Sequence, residues 1–348
     1  MSTTTPKPTF RGAAARRSIS VSQESLVTIA QLHDRSTLPM VVTPTVAGLN
    51  LTTWATNNRA QVEEMVLKHG GVLFRGFGVR SSEELEQFVS AMSPQMLEYT
   101  YRSTPRSQVV GKIYTSTEYP ADQSIPFHNE MSYTSTWPMK IWFCCLKAAE
   151  QGGETPIADS RRVFESLDPS IRQRFIDKRV MYVRNYGAGL DLSWQNVFQT
   201  DSRTEVEAFC RSAGIDFEWK GEDGLRTRQV CQSIAHHPKT GEVVWFNQAH
   251  LFHVSSLPPM VRDMLLAEFK EEDLPRNTYY GDGTPIEPET LDAIRAAFDE
   301  NAVLFPWQEG DVLMLDNMLV AHARSPFVGA RKVVVGMAES YSVEEETE

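Results

Sequence analysis

His128 and Glu130 stand two residues apart in Ile125-Pro126-Phe127-His128-Asn129-Glu130, and His322 follows Leu315-Asp316-Asn317 by a short step near the other end of the chain. Two imidazoles and one carboxylate make the ligand set of a mononuclear non-haem Fe(II) site. Such a set grips one face of an octahedral ion and leaves the remaining positions for a cosubstrate and dioxygen. Arg331 comes nine positions after His322, and a guanidinium there suits an anionic cosubstrate through paired N–H donors. The chemistry implied is oxygenation fed by a 2-oxo acid. Zinc also accepts nitrogen and oxygen ligands, and the downstream Arg tips the balance toward iron.

The remaining histidines offer weaker patterns. His236-His237-Pro238 precedes a Thr240-Gly241 turn signal and reads as a hairpin loop rather than a ligand pair. His250 and His253 have helical i, i+3 spacing, but no neighbouring carboxylate completes a His-Glu-x-x-His motif. Pocket lining or hydrogen bonding is the better expectation for them.

The elements that must carry the triad are mostly short strands. Alternation on a strand at 127–133 would place His128 and Glu130 on one face and Asn129 on the other. Val312-Leu313-Met314-Leu315 supplies a strand leading toward His322. Further strands are expected at 112–114, 140–146, 155–159, 181–185, 243–247 and 331–337, and helices at 60–69, 161–176, 202–213, 258–272 and 287–299. Gly70 is placed to end the first helix, and Ser81 or Ser82 to cap another that opens with Glu83-Glu84. Many short strands with helices between them suggest two facing sheets that enclose a small site. The expected organisation is an N-terminal arm over residues 1–45 and a single domain over 46–348, with a large insertion at about 185–300.

Composition bounds the partners. The chain has 348 residues, 41% of them hydrophobic and 23% charged, which is the make-up of a soluble globular protein. A net charge of −11 argues against nucleic acid as a partner. No apolar run approaches the roughly 20 residues that span a bilayer. The four cysteines show no metal-binding spacing and suggest reduced thiols in the cytoplasm. Lys7, Arg11, Arg16 and Arg17, with no acid among them, give the first residues a basic character. Their poor amphipathic periodicity suits an arm better than a transit peptide. Nothing in the pattern sets the oligomeric state.

At these motifs the chain resembles the taurine/2,4-D dioxygenase family of Fe(II)- and 2-oxoglutarate-dependent enzymes. It is most similar to the syringomycin-biosynthesis-protein branch, associated with amino-acid hydroxylation in nonribosomal peptide pathways. The likeness runs from about Gly70 to Glu339. It rests on Gly71-Val72-Leu73-Phe74-Arg75-Gly76-Phe77, the His128 and Glu130 stretch, Gly152-Gly153-Glu154-Thr155-Pro156 and Tyr280-Gly281-Asp282-Gly283. Pro306-Trp307-Gln308-Glu309-Gly310-Asp311 and the run from Asp316 through His322 to Arg331-Lys332 complete it. The resemblance implies an α+β, mostly β, double-stranded β-helix (a cupin-like jelly roll) with helical insertions. It implies iron held by His128, Glu130 and His322, and 2-oxoglutarate whose distal carboxylate meets Thr155 and Arg331. Arg324 is the alternative cation, although its closeness to His322 suggests a structural ion pair. The carboxylate is Glu where Asp is commoner, and Val335 stands where the taurine enzyme has its sulfonate-binding Arg.

The expected reaction is hydroxylation of an amino acid, free or tethered to a peptidyl carrier protein, with O2 consumed and succinate and CO2 released. Desaturation, epoxidation or cyclisation are alternative outcomes. Ser124, Met131 and Arg184 are candidate substrate contacts, with Arg226 and Arg228 as further cations, and Trp194, Trp245 and Trp307 are candidate pocket walls. A non-catalytic metal-binding jelly roll and a metal-dependent hydrolase or isomerase are the competing readings, and neither requires Thr155 or Arg331.

Overall fold

A computed structural model describes residues 26–33, 36–98, 106–117, 119–187 and 191–343. The helix Arg59–His69 buries Val62, Met65 and Val66, one stripe of a helical turn. It ends at Gly70, whose φ of 83° is left-handed and whose missing Cβ leaves room for Val320. The chain then enters Gly71–Phe74, a strand buried throughout. Ser81 caps the next helix, Ser82–Met92, by accepting from Glu84 N at 3.2 Å, and that helix buries Leu85, Phe88, Val89 and Met92.

Eight strands form the large sheet, in the order Val27–His33, Ser36–Pro44, Gly71–Phe74, Val312–Asp316, Thr136–Lys147, Lys332–Ser342, Ile113–Thr115, Gln108–Val110. All neighbours are antiparallel except Ser36–Pro44 and Gly71–Phe74. The central strand Thr136–Lys147 is buried on both faces. Trp142 and Cys144 pack with the two helices, whereas Ile141, Phe143 and Cys145 pack on the opposite side with Ile157 and Val320. Those last two residues belong to a small sheet of four strands, ordered Ala302–Val303, Ile157–Asp159, Val320–Arg324, Ile125–His128. Large and small sheets thus share one apolar layer.

Between Ile157–Asp159 and Ala302–Val303 runs a long excursion with its own four-stranded sheet, ordered Asp216–Lys220, Gly224–Cys231, Val180–Tyr186, Arg276–Tyr280. Val180–Tyr186 is therefore part of the excursion, which starts near residue 160 rather than 185. The helix expected over 161–176 is two helices, Ser160–Ser166 and Pro169–Lys178, because Pro169 starts a second one after the Asp168 cap.

The described residues from Val27 onward do not form the N-terminal arm expected over 1–45. Residues 27–33 and 36–44 are strands of the large sheet, and Val42 is fully buried against its core. Met40 and Val42 pack into the core on the helix side of the sheet, whereas Leu38 and Val41 pack into the apolar layer on its other side. Lys7, Arg11, Arg16 and Arg17 lie outside the described residues.

Candidate active site

His128 ends the strand Ile125–His128 and His322 is the middle residue of Val320–Arg324. The two are register partners across an antiparallel pair, with ring centroids 4.3 Å apart. Glu130 does not sit on that strand. The strand stops at His128, and Glu130 opens a turn in which Met131 takes a φ of 59°. The strand expected over 127–133 therefore ends before Glu130, so period-two alternation is not what places it, and Asn129 is fully buried. Even so, ligand atoms of His128, Glu130 and His322 all lie within 4.8 Å of one another.

Asn317 is what places Glu130. Its Oδ1 accepts from Glu130 N at 2.7 Å, and its Nδ2 donates to Glu130 O at 2.9 Å and Pro138 O at 2.8 Å. Asn129 Nδ2 donates to Asn317 O at 2.7 Å. The turn just after Ile125–His128 and the turn just before Val320–Arg324 are thereby tied together in a buried place. Behind them Asp316 caps Met318 N and Leu319 N, and its other oxygen meets Lys140 and His237, each at 3.2 Å. The His236–Pro238 segment is a hairpin loop as expected, and His237 is buried within it.

The donor chemistry fits a divalent ion. His128 Nδ1 donates to Pro126 O at 2.9 Å, which leaves the other nitrogen with its lone pair. The buried Nδ1 of His322 meets no hydrogen-bond partner among the described residues. Burial holds both imidazoles below the usual histidine range, and for His322 the charges of His128 and Arg106 act in the same direction. For His128, Glu130 and the Pro126 carbonyl oppose the shift, and Arg106 adds to it. Neutral imidazoles are the form that binds metals. Phe143 reaches across from the large sheet to pack on His322, ring to ring at 4.9 Å.

Thr155 and Arg331 line the same cavity as His128 and His322. Gly153 makes this meeting close: a Cβ there would lie 3.0 Å from Arg331 Cδ, and its carbonyl accepts from Arg331 Nε at 2.8 Å. Burial and the neighbouring charge of Arg324 pull Arg331 down to about 10, so it is cationic at neutral pH yet short of negative charge. Thr155 Oγ1 accepts from Trp307 Nε1 at 3.1 Å.

Other sequence candidates lie elsewhere. Ser124 is exposed, Met131 is half-buried against the shared apolar layer, and neither is on the cavity wall. Arg184 is buried in the sheet of the excursion with its guanidinium 5.0 Å from the Tyr186 ring. Arg226 is held by Asn185 and Asp273, and Arg228 lies 3.9 Å from Glu218. Trp194 and Trp245 are core residues packed on Trp219 and Phe175. Arg324 lines the cavity and forms no salt bridge among the described residues. It donates to the carbonyls of Tyr119, Pro120 and Gln123 at 2.9, 2.6 and 2.6 Å. His250 Nε2 bonds Phe127 O at 2.9 Å, and His253 caps the turn that follows it. Sequence reasoning missed Arg106, which is buried on the cavity wall with its NH2 nitrogen 2.6 Å from Glu130 Oε2.

The family model described as "Taurine catabolism dioxygenase TauD, TfdA family" matches residues 34–338. The chain belongs to this family. It is an enzyme of the iron- and 2-oxoglutarate-dependent dioxygenase class, in agreement with the motif reading. The dapdiamide synthesis protein DdaC of Enterobacter agglomerans is 43% identical over 278 residues, covering 80% of this chain and 84% of that one. A clavaminate synthase-like protein of Arabidopsis thaliana is 30% identical over 325 residues, covering 88% and 95%. In fold the chain is similar to the crystal structure of PvcB from Pseudomonas aeruginosa, with a TM-score of 0.56, 14% identity, and 92% and 93% of the two chains covered. Among the described residues no helix is long and apolar enough to cross a membrane.

Proposed function

We propose that this dioxygenase hydroxylates an unactivated C–H bond of an amino acid, free or tethered to a peptidyl carrier protein, in the making of a natural product, and converts 2-oxoglutarate to succinate and CO2. The observation that carries the reading is one cavity bordered by His128, His322, Thr155 and Arg331, with Glu130 beside the two imidazoles. In this reading His128, Glu130 and His322 hold Fe(II), which when bound supplies the activation of dioxygen. Arg331 pairs with the C5 carboxylate of 2-oxoglutarate through its guanidinium, and Thr155 donates its hydroxyl proton to the same group. Such charge-assisted bonds contribute about 1.5–3 kcal/mol each, enough to prefer a dicarboxylate over a monocarboxylate. Phe143 and the shared apolar layer keep water from the reacting carbon.

A biosynthetic setting is supported by the relative named for dapdiamide synthesis, and Val335, buried and apolar, gives no handle for a sulfonate. The same reading takes the large and small sheets as the two walls of a double-stranded β-helix and the excursion as its insertion. It places the enzyme in the cytoplasm, where the four buried free thiols would stay reduced.

Anaerobic addition of Fe(II) and 2-oxoglutarate tests the cofactor part: a weak visible charge-transfer band is expected, and Arg331→Gln should demand far more 2-oxoglutarate to reach it. Absence of the band in the unaltered protein would end the reading. Succinate release across amino acids, free and carrier-tethered, then tests the substrate. Equal rates for both forms would remove the carrier protein.

A further inference from the structure

Glu130 is a long ligand arm, and its clamp by Asn317 acts on the backbone only. The carboxylate itself needs another restraint, since a Glu free to turn can give a metal either one oxygen or two. Arg106 supplies a contact of the right kind. Its NH2 nitrogen lies 2.6 Å from Glu130 Oε2, and the two side chains are only 4% and 3% exposed. A charge-assisted bond this short, away from water, is hard to displace. The same guanidinium borders the cavity of His128, His322, Thr155 and Arg331.

We infer that Arg106 keeps Glu130 Oε2 turned away from the metal, so that this ligand donates a single oxygen and the coordination face used by the 2-oxo acid stays open. Arg106 is thus a positioning residue, acting through Glu130. The inference rests on the metal reading above and adds to it a role for a residue outside the expected motifs. It also gives a reason why Glu serves where a shorter Asp would do. The extra methylene carries the carboxylate to a guanidinium that lies outside the ligand-bearing strands, at residue 106 just before Gln108–Val110.

Two opposed effects act on the bare ion. The cation at Arg106 repels a second cation, while the held carboxylate favours it, so metal affinity alone is a poor measure. The split between metal and keto-acid binding is the useful one. In the full-length protein, Arg106→Met should bind Co(II) about as well as the unaltered protein. It should require about tenfold or more extra of both 2-oxoglutarate and pyruvate to form the anaerobic Fe(II) chelate band, the scale expected when a partner of a metal ligand is removed. Arg331→Met, by contrast, should weaken 2-oxoglutarate and leave pyruvate alone, because pyruvate lacks the distal carboxylate. Arg106→Lys should recover part of the loss by restoring a donor and the charge, and it carries the test if Arg106→Met does not fold.

Equal loss of Co(II) and keto-acid binding would reduce Arg106 to a structural support and overturn the inference. So would unchanged keto-acid binding in Arg106→Met. If the unaltered protein forms no band with 2-oxoglutarate, the cofactor reading itself has failed and this inference falls with it, before any variant is compared.

Discussion

Trp307 donates its indole N–H to Thr155 Oγ1 at 3.1 Å, in a place where both residues are buried. A hydroxyl that accepts from Trp307 has its own proton left to give, and Thr155 borders the same cavity as Arg331. Thr155→Val should raise the KM for 2-oxoglutarate about tenfold or more, from the 1.5–3 kcal/mol of a hydrogen bond to a charged group, with kcat little changed. Trp307→Phe should give a smaller rise, since the hydroxyl stays but loses its orientation. Steady-state succinate formation against 2-oxoglutarate concentration reads both, and a Thr155→Val variant with unaltered KM would refute this assignment.

Asn317 should matter for metal binding although it offers the ion nothing. Asn317→Ala leaves Glu130 N buried without its partner, which costs about 1–3 kcal/mol of stability. It should also weaken Fe(II) or Co(II) binding about 10–100-fold by loosening the turn that carries Glu130. Thermal melts and metal titration measure the two effects. Asn317→Asp keeps the acceptor for Glu130 N but not the donors, and should fall between.

Asp316 ties stability to acid. Burial alone would raise its carboxyl, but Lys140 and His237 outweigh burial and hold it down at about 2. A depressed carboxyl stabilises the fold fully above the ordinary aspartate value of about 4 and loses that contribution as pH falls toward 2. Unfolding free energy measured from pH 6 downward should therefore drop more steeply in the unaltered protein than in Asp316→Asn. Lys140→Met, which strands a buried carboxylate, should cost about 3 kcal/mol or more near neutrality.

Arg324 and Arg331 border one cavity but should respond differently. Arg324→Ala frees the carbonyls of Tyr119, Pro120 and Gln123, so a stability loss of about 1–3 kcal/mol is expected. The preference for 2-oxoglutarate over pyruvate should persist. If that preference vanished in Arg324→Ala, the assignment of the distal carboxylate to Arg331 would have to be exchanged.

What could be read from the chain in advance was chiefly local. The helix ending at Gly70 and the Ser81 cap lie within a residue or two of their expected places, because apolar spacing and cap chemistry act over one turn. His128, Glu130 and His322 could be grouped because their residue types and order are unusual together. Glu130 was assigned to a strand, however, since period-two alternation cannot foresee a turn stabilised by Asn317, a residue far away in sequence. Arg106 follows a polar stretch with no motif or periodicity, and its meaning comes only from its contact with Glu130. Arg184 looked available for a ligand as a cation on a strand, but that strand belongs to a separate sheet. The strands at 27–44 were hidden by a basic, polar start that resembles an arm more than a sheet edge.

The excursion leaves the small sheet after Ile157–Asp159 and returns at Ala302–Val303, and those two strands are hydrogen-bonded neighbours, with Ala302 opposite Ala158. A segment whose doorway is one pair of adjacent residues can grow, shrink or be traded between relatives while the strands bearing His128 and His322 keep their spacing. A change of length there need not disturb how the enzyme reacts.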